Sequence, residues 1–171
     1  MTRSRRRGRR QGAAHGQSLV EFALVLPIAL LVILAIFDMG RAVFIYNGLT
    51  NAAREGARLA IVNQTESAIA DRVATMSIGA EVENLGDPDF LAFRVEDLDD
   101  GTTTATDCPT MKTGCVAVVT ARAQWQAITP IIGSIIGPLT LQAQAELPVE
   151  FVCPNTSMTE YATPSDCPRQ P

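Results

Sequence analysis

The chain has 171 residues and a formal net charge of −4, room for one modest domain beside an anchor but not for two substantial domains. The charge is polarised: Arg3, Arg5, Arg6, Arg7, Arg9 and Arg10 are six of the 14 basic residues, and no acidic residue precedes Glu21. After Gly16 the count is 8 basic to 18 acidic residues, which lacks the clustered cations of phosphate recognition and argues against a nucleic-acid partner.

Residues 1–16 read as a basic leader. An arginine run binds nucleic acid or anionic lipid in isolation, but one set directly before an apolar run is a topology signal that keeps the N-terminus in the cytoplasm. Residues 19–37, LVEFALVLPIALLVILAIF, are interrupted only by Glu21 and Pro27, and a bilayer core needs about 20 apolar helical residues. Residues 17–42 are therefore expected to span a lipid bilayer once, with everything after them outside. A cleaved signal peptide fits less well, because its apolar region is shorter and ends in a small-x-small exit, whereas here the run passes into Asp38-Met39-Gly40-Arg41. Glu21 lies inside the apolar run, where an ionised carboxylate is costly unless it snorkels or finds a partner. Near the helix start the macrodipole favours its charge. Pro27 removes one backbone hydrogen bond and is expected to kink the helix.

The string Gly16-Gln17-Ser18-Leu19-Val20-Glu21-Phe22-Ala23, followed by Leu24-Val25-Leu26-Pro27, resembles the N-terminus of TadE-like proteins, minor pseudopilins of the tight-adherence (Flp-type) pilus machinery of bacteria. The resemblance implies cutting by a prepilin peptidase after a glycine at the cytoplasmic face, with glutamate as the fifth mature residue. Cleavage between Gly16 and Gln17 puts Glu21 at that place, with Phe22 completing the Glu-Phe pair; Gly12 would put Gln17 there. Asn51-Ala52-Ala53-Arg54-Glu55-Gly56-Ala57-Arg58 resembles the family's segment just outside the membrane. The resemblance covers residues 16–62 and thins over 63–150. A related family with a von Willebrand-type metal-binding insert needs a DxSxS motif and a longer chain, neither of which is present. In physical terms, a new N-terminal amine and a glutamate at the fifth mature position can pair between neighbouring helices, which relieves the cost of charge at membrane depth.

Residues 43–80 read as a helical segment outside the membrane. The first helix is expected to continue to about Val62, and Ala52, Ala53, Gly56, Ala57 and Ala60 give it a smooth face. That face is read mainly as the seam for the protein's own sheet, with partner helices as the alternative. Asp38 with Arg41, and Glu55 with Arg58, are spaced as i,i+3 ion pairs. Residues 64–78 form a shorter helix with Ile69, Val73 and Met76 on one face.

Residues 81–152 carry three alternating stretches. Leu91, Phe93 and Val95 share one face; Cys115, Ala117, Val119, Ala121, Ala123 and Trp125 share the next; Leu139, Leu141, Ala143, Ala145 and Leu147 share the third. This predicts an antiparallel sheet covered on one face and wet on the other. With the long helix on its alanine-rich face, the fold class is α+β and pilin-like. The connection 128–138, ITPIIGSIIGP, places five isoleucines in a turn-rich segment. It either folds back as core or dips toward the membrane interface or a partner. The acidic stretch 96–101 lacks the bidentate glutamate of an EF-hand and reads as a solvated turn. Asn63-Gln64-Thr65 and Asn155-Thr156-Ser157 fit glycosylation sequons and carry little weight in a bacterial setting.

Cys108, Cys115, Cys153 and Cys167 form no CxxC, and His15 is the only histidine, so zinc is not expected. An even count outside the cytoplasm reads as two disulfides, with reduced thiols as the alternative. A local 108–115 staple and a 153–167 bridge in the Pro/Cys tail, residues 153–171, fit the spacing, but the sequence leaves all three pairings open. No P-loop, GxGxxG or Ser-His pair is present, and no cofactor is expected. The expectation is a non-enzymatic component of pilus assembly whose partners are the bilayer, a prepilin peptidase and other pilus subunits. An uncleaved, signal-anchored binding module is the competing reading, and a hydrolase using two carboxylates is a third.

Overall fold

A single helix, α1 (Ala13–Ala60), carries both the apolar run and the small-residue segment, and it continues through Pro27. The computed structural model describes residues 13–96, 103–108, 114–155, 162–165 and 167–168. The ring of Pro27 deletes one amide donor, yet the helical backbone persists on both sides of it. Arg58 in the last turn complements the carboxyl end of the helix dipole. Beyond it, the Asn63 side-chain Oδ1 accepts from the Thr65 amide at 2.9 Å, which turns the chain into α2 (Glu66–Met76). Glu66 sits in the first turn of α2, where a negative charge is favoured.

The sheet has four antiparallel strands, β1 (Leu91–Glu96), β2 (Thr103–Asp107), β3 (Cys115–Trp125) and β4 (Leu139–Pro148), in the order β2-β1-β3-β4. Three of these follow the expected alternation. The fourth, β2, reads TTATD and pairs Arg94 with Asp107 and Glu96 with Thr103 at the sheet edge. Its sequence has no apolar alternation to mark it as a strand.

Strand β3 lies between β1 and β4. It pairs Leu91 with Val119 on one side and Val119 with Ala145 on the other. Its expected inner face, from Cys115 to Trp125, is buried throughout. The outer face departs from expectation, since Val116, Val118 and Thr120 are also buried. The wet face begins only beyond them. Asn84 extends this side of the sheet: its amide nitrogen donates to the Thr120 carbonyl and its oxygen accepts from the Arg122 amide, both at 2.8 Å.

The C-terminal half of α1 lies on the sheet. Leu49, Ala52, Ala53, Ala57, Leu59 and Ala60 are fully buried against a core that includes Ala117, Val119, Ala121, Ile69 and Val73. The small residues explain the close approach. A Cβ added at Gly56 would collide with Val73 and lie 3.1 Å from Val119 Cγ1. The smooth face is thus the internal seam. The connection 128–138 contains a short helix, α3 (Pro130–Ile136), which begins on a proline, a residue suited to a first turn.

The C-terminal segment is docked on the turn between α1 and α2. Gln64 donates to the carbonyls of Ala60 (2.8 Å) and Phe151 (2.9 Å) and accepts from the Cys153 amide (2.7 Å). Asn63 donates to the Pro168 carbonyl at 2.7 Å. Disulfides join Cys108 to Cys115 and Cys153 to Cys167, one of the three pairings that the sequence left open.

Candidate functional site

The sequence motif occupies the start of α1. Gly16, Gln17, Glu21 and Phe22 are all exposed there, and an added Cβ at Gly16 meets nothing within 4 Å. The bond between Gly16 and Gln17 falls in the first turn or so of the helix. Amides at a helix start lack intrahelical partners, so this segment opens at little cost to the rest of the fold. From Leu19 to Phe37 the helix exposes its large apolar side chains, and its most apolar window has mean hydropathy 2.9 with none of it buried. Among the described residues this is the one helix long and apolar enough to cross a membrane, and it is a candidate anchor.

The first buried side chain after this apolar run is Asp38, where α1 meets the sheet domain. Asp38 is only 5% exposed, and its two carboxylate oxygens accept from the backbone amides of Ile128 and Thr129 at 3.0 Å each. One turn on, Arg41 donates to the Gln126 carbonyl and its guanidinium stands 6.0 Å from the Trp125 ring centroid. The expected Asp38–Arg41 pair along the helix surface is therefore replaced by a clamp. Both side chains turn to the connection after β3, because two amides and a carbonyl there would otherwise lack partners. Such hydrogen bonds to ionised groups are stronger than neutral ones. Leu34, Phe37, Ile128 and Pro130 line an apolar groove of about 460 Å³ beside this clamp.

The second expected pair forms and extends. Glu55 bonds Arg58 at 2.7 Å and Arg72 of α2 at 3.2 Å, so it ties two helices as well as two turns. Asn63, in the first sequon, is 1% exposed and held through both side-chain groups; it is a structural residue. The second sequon lies largely outside the described residues, as do residues 97–101 of the acidic stretch. A polar cleft of about 470 Å³ runs between α2 and the C-terminal segment, lined by Thr65, Asp71, Arg72 and Ser165 among others. Among the described residues no group of three or more His, Cys, Asp or Glu side chains is placed to hold a metal ion.

Sequence reading placed the candidate anchor and the seam. It missed the roles of Asp38 and Asn84, whose partners lie 90 and 36 residues away in the chain. The available signal was an ionisable residue, Asp38, at the exit of a long apolar run.

A family model described as TadE-like protein matches residues 16–58. The match runs from Gly16 through the anchor and the Asp38–Arg41 clamp to the last turns of α1. No curated protein matches the chain, and no solved structure does.

Proposed function

We propose that this chain, TadE-like over residues 16–58, is a membrane-anchored, non-enzymatic component of a tight-adherence (Flp-type) pilus assembly machinery, in the manner of a minor pseudopilin. A prepilin peptidase cuts between Gly16 and Gln17 at the cytoplasmic face, α1 crosses the cytoplasmic membrane once, and the sheet domain stands outside. The observation that carries this reading is the placement of the motif. Gly16 to Pro27 occupies the freely exposed end of a helix whose other end is fixed to a domain. A peptidase can reach the first turn without disturbing the core. After the cut, the Gln17 amine and the Glu21 carboxylate lie on a helix surface that has no fold of its own to join, which leaves both for neighbouring subunits in the bilayer.

The test is mass analysis of the N-terminus of the protein from its native membrane, with Gly16→Ala alongside. Open space around Gly16 means that this variant changes recognition and leaves the fold alone. A wild-type chain beginning at Gln17, and an uncut variant, are the expected results. An intact basic N-terminus in cells with an active prepilin peptidase would overturn the processing step and favour an uncleaved, signal-anchored binding module.

A further inference from the structure

Outside α1, the large apolar side chains that stay exposed among the described residues are Ile78, Ile128, Ile135, Ile136 and Leu139. They gather at one end of the domain. The Ile128 amide bonds Asp38, Leu139 pairs with Trp125 beneath Arg41, and α3 with Ile135 and Ile136 lies between those two points. The Ile78 carbonyl lies against Gly48, less than three turns beyond. The opposite end of the sheet, where the amides of Glu150 and Phe151 bond the Ile61 carbonyl, contributes none of them. Exposure reaches 71% at Ile128 and 78% at Ile135, far more than the interior of a hairpin connection needs.

The depth of this end follows from the helix. At about 1.5 Å per residue, residues 19–37 cover about 27 Å, close to the ~30 Å of a hydrocarbon core. Asp38 then stands at the outer edge of that core, and the groove formed by Leu34 and Phe37 with Ile128 and Pro130 lies just inside it. Between Arg122 and Glu146 the chain has no ionisable side chain. Its backbone is also prepared for an apolar setting, where unpaired amides are costly. Asp38 takes the Ile128 and Thr129 amides, Thr129 O takes the Gly133 amide, and Gly133 O takes the Gly137 amide.

We propose that the connection from Ile128 to Leu139 is a membrane foot: Ile128, Ile135 and Ile136 enter the outer leaflet beside α1, and lipid acyl chains fill the groove at Leu34 and Phe37. This rests on the reading that α1 spans the bilayer. The foot gives the domain a second contact with the membrane and so fixes its tilt and its rotation about the anchor. Asp38 is the positioning residue that holds the foot at its depth.

The test uses the full chain reconstituted in phosphatidylethanolamine–phosphatidylglycerol vesicles, with and without lipids brominated in their acyl chains. Tryptophan is introduced separately at Ile135 and Ile128 in the foot, at Val32 in the span and at Glu150 at the far end, and the Trp125 signal is subtracted. Ile135→Trp and Ile128→Trp are expected to lose fluorescence to brominated lipid as Val32→Trp does, while Glu150→Trp is unaffected. If Val32→Trp escapes quenching, the spanning helix and the foot both fall. If Val32→Trp is quenched and the two foot variants behave like Glu150→Trp, the foot alone is overturned. A foot emission that is blue-shifted, untouched by bromine and dependent on protein density also overturns it, in favour of a contact between subunits.

Discussion

Asp38 and Thr129 are joined by a 3.0 Å hydrogen bond from amide to carboxylate across 91 residues of chain. The same carboxylate takes the preceding amide of Ile128. The link ties the exposed apolar half of α1 to the far turn of the sheet. Asp38→Ala leaves two amides without acceptors, whereas Asp38→Asn keeps one carbonyl oxygen. Amide exchange at Ile128 and Thr129 should therefore accelerate about tenfold or more in Asp38→Ala, and less in Asp38→Asn. Exchange in the centre of β3 should stay close to wild type. Hydrogen-exchange mass spectrometry of the full chain in detergent reads all three sites.

How much of this was legible in advance depended on whether a residue's partners were regular. The candidate anchor announced itself as an apolar run, and the seam as alanines and a glycine at helical spacing. β3 and β4 were visible because every second residue is apolar: that face of β3 is buried throughout, and in β4 Ala143 is buried with Leu141, Ala145 and Leu147 packed against the same core. β2 was not, since Thr103–Asp107 has no apolar alternation to mark it and is paired through its backbone at the sheet edge. α3 is shorter than the window over which helical periodicity can be counted. Asp38 illustrates the deeper obstacle. Its neighbours in sequence suggested a local pair with Arg41, and only the fold brings Ile128 and Thr129 within reach.

Three glycines of α1 offer a graded test of the seam. At Gly48 an added Cβ would strike the Ile78 carbonyl oxygen, a backbone atom, and at Gly56 it would strike the branched side chain of Val73. At Gly40 it meets nothing within 4 Å. Gly56→Ala should destabilise by about 1–3 kcal/mol through overpacking. Gly48→Ala should cost at least as much, because the main chain must move. Gly40→Ala should be neutral, or stabilise by up to about 1 kcal/mol through helix propensity. Chemical unfolding of the three variants in one detergent gives the ranking, and equal effects at Gly40 and Gly56 would deny the seam.

The two disulfides differ in what they close. Cys153–Cys167 spans 14 residues and Cys108–Cys115 spans 7. Loop-closure entropy alone favours the longer by about 0.6 kcal/mol, since each doubling of the loop adds about that much. The longer bridge also anchors the segment that holds Asn63 and Gln64, so replacing its cysteines with serine should lose about 3 kcal/mol. The same change at Cys108 and Cys115 should lose less. Peptide mapping without reduction checks the pairing, and unfolding of the two double variants checks the order.

Asn84 is 3% exposed and uses one side chain to satisfy a carbonyl and an amide of β3. Asn84→Ala leaves the Thr120 carbonyl and the Arg122 amide unpaired, a loss of about 2–4 kcal/mol if each group carries its usual desolvation penalty. Asn84→Asp keeps the acceptor for Arg122 but turns a second carboxylate oxygen toward the Thr120 carbonyl, oxygen against oxygen. At neutral pH it should therefore be the less stable of the two variants. Protonation supplies the missing donor, so the folded state binds that proton more tightly than the unfolded chain. The variant then gains stability relative to wild type as pH falls toward the ordinary carboxyl range near about 4, and the gain is complete below it. Urea unfolding of Asn84→Asp, Asn84→Ala and wild type from neutral to acid pH separates these cases. A flat difference between Asn84→Asp and wild type across that range would mean that Asn84 fills space at the strand edge without donating to Thr120.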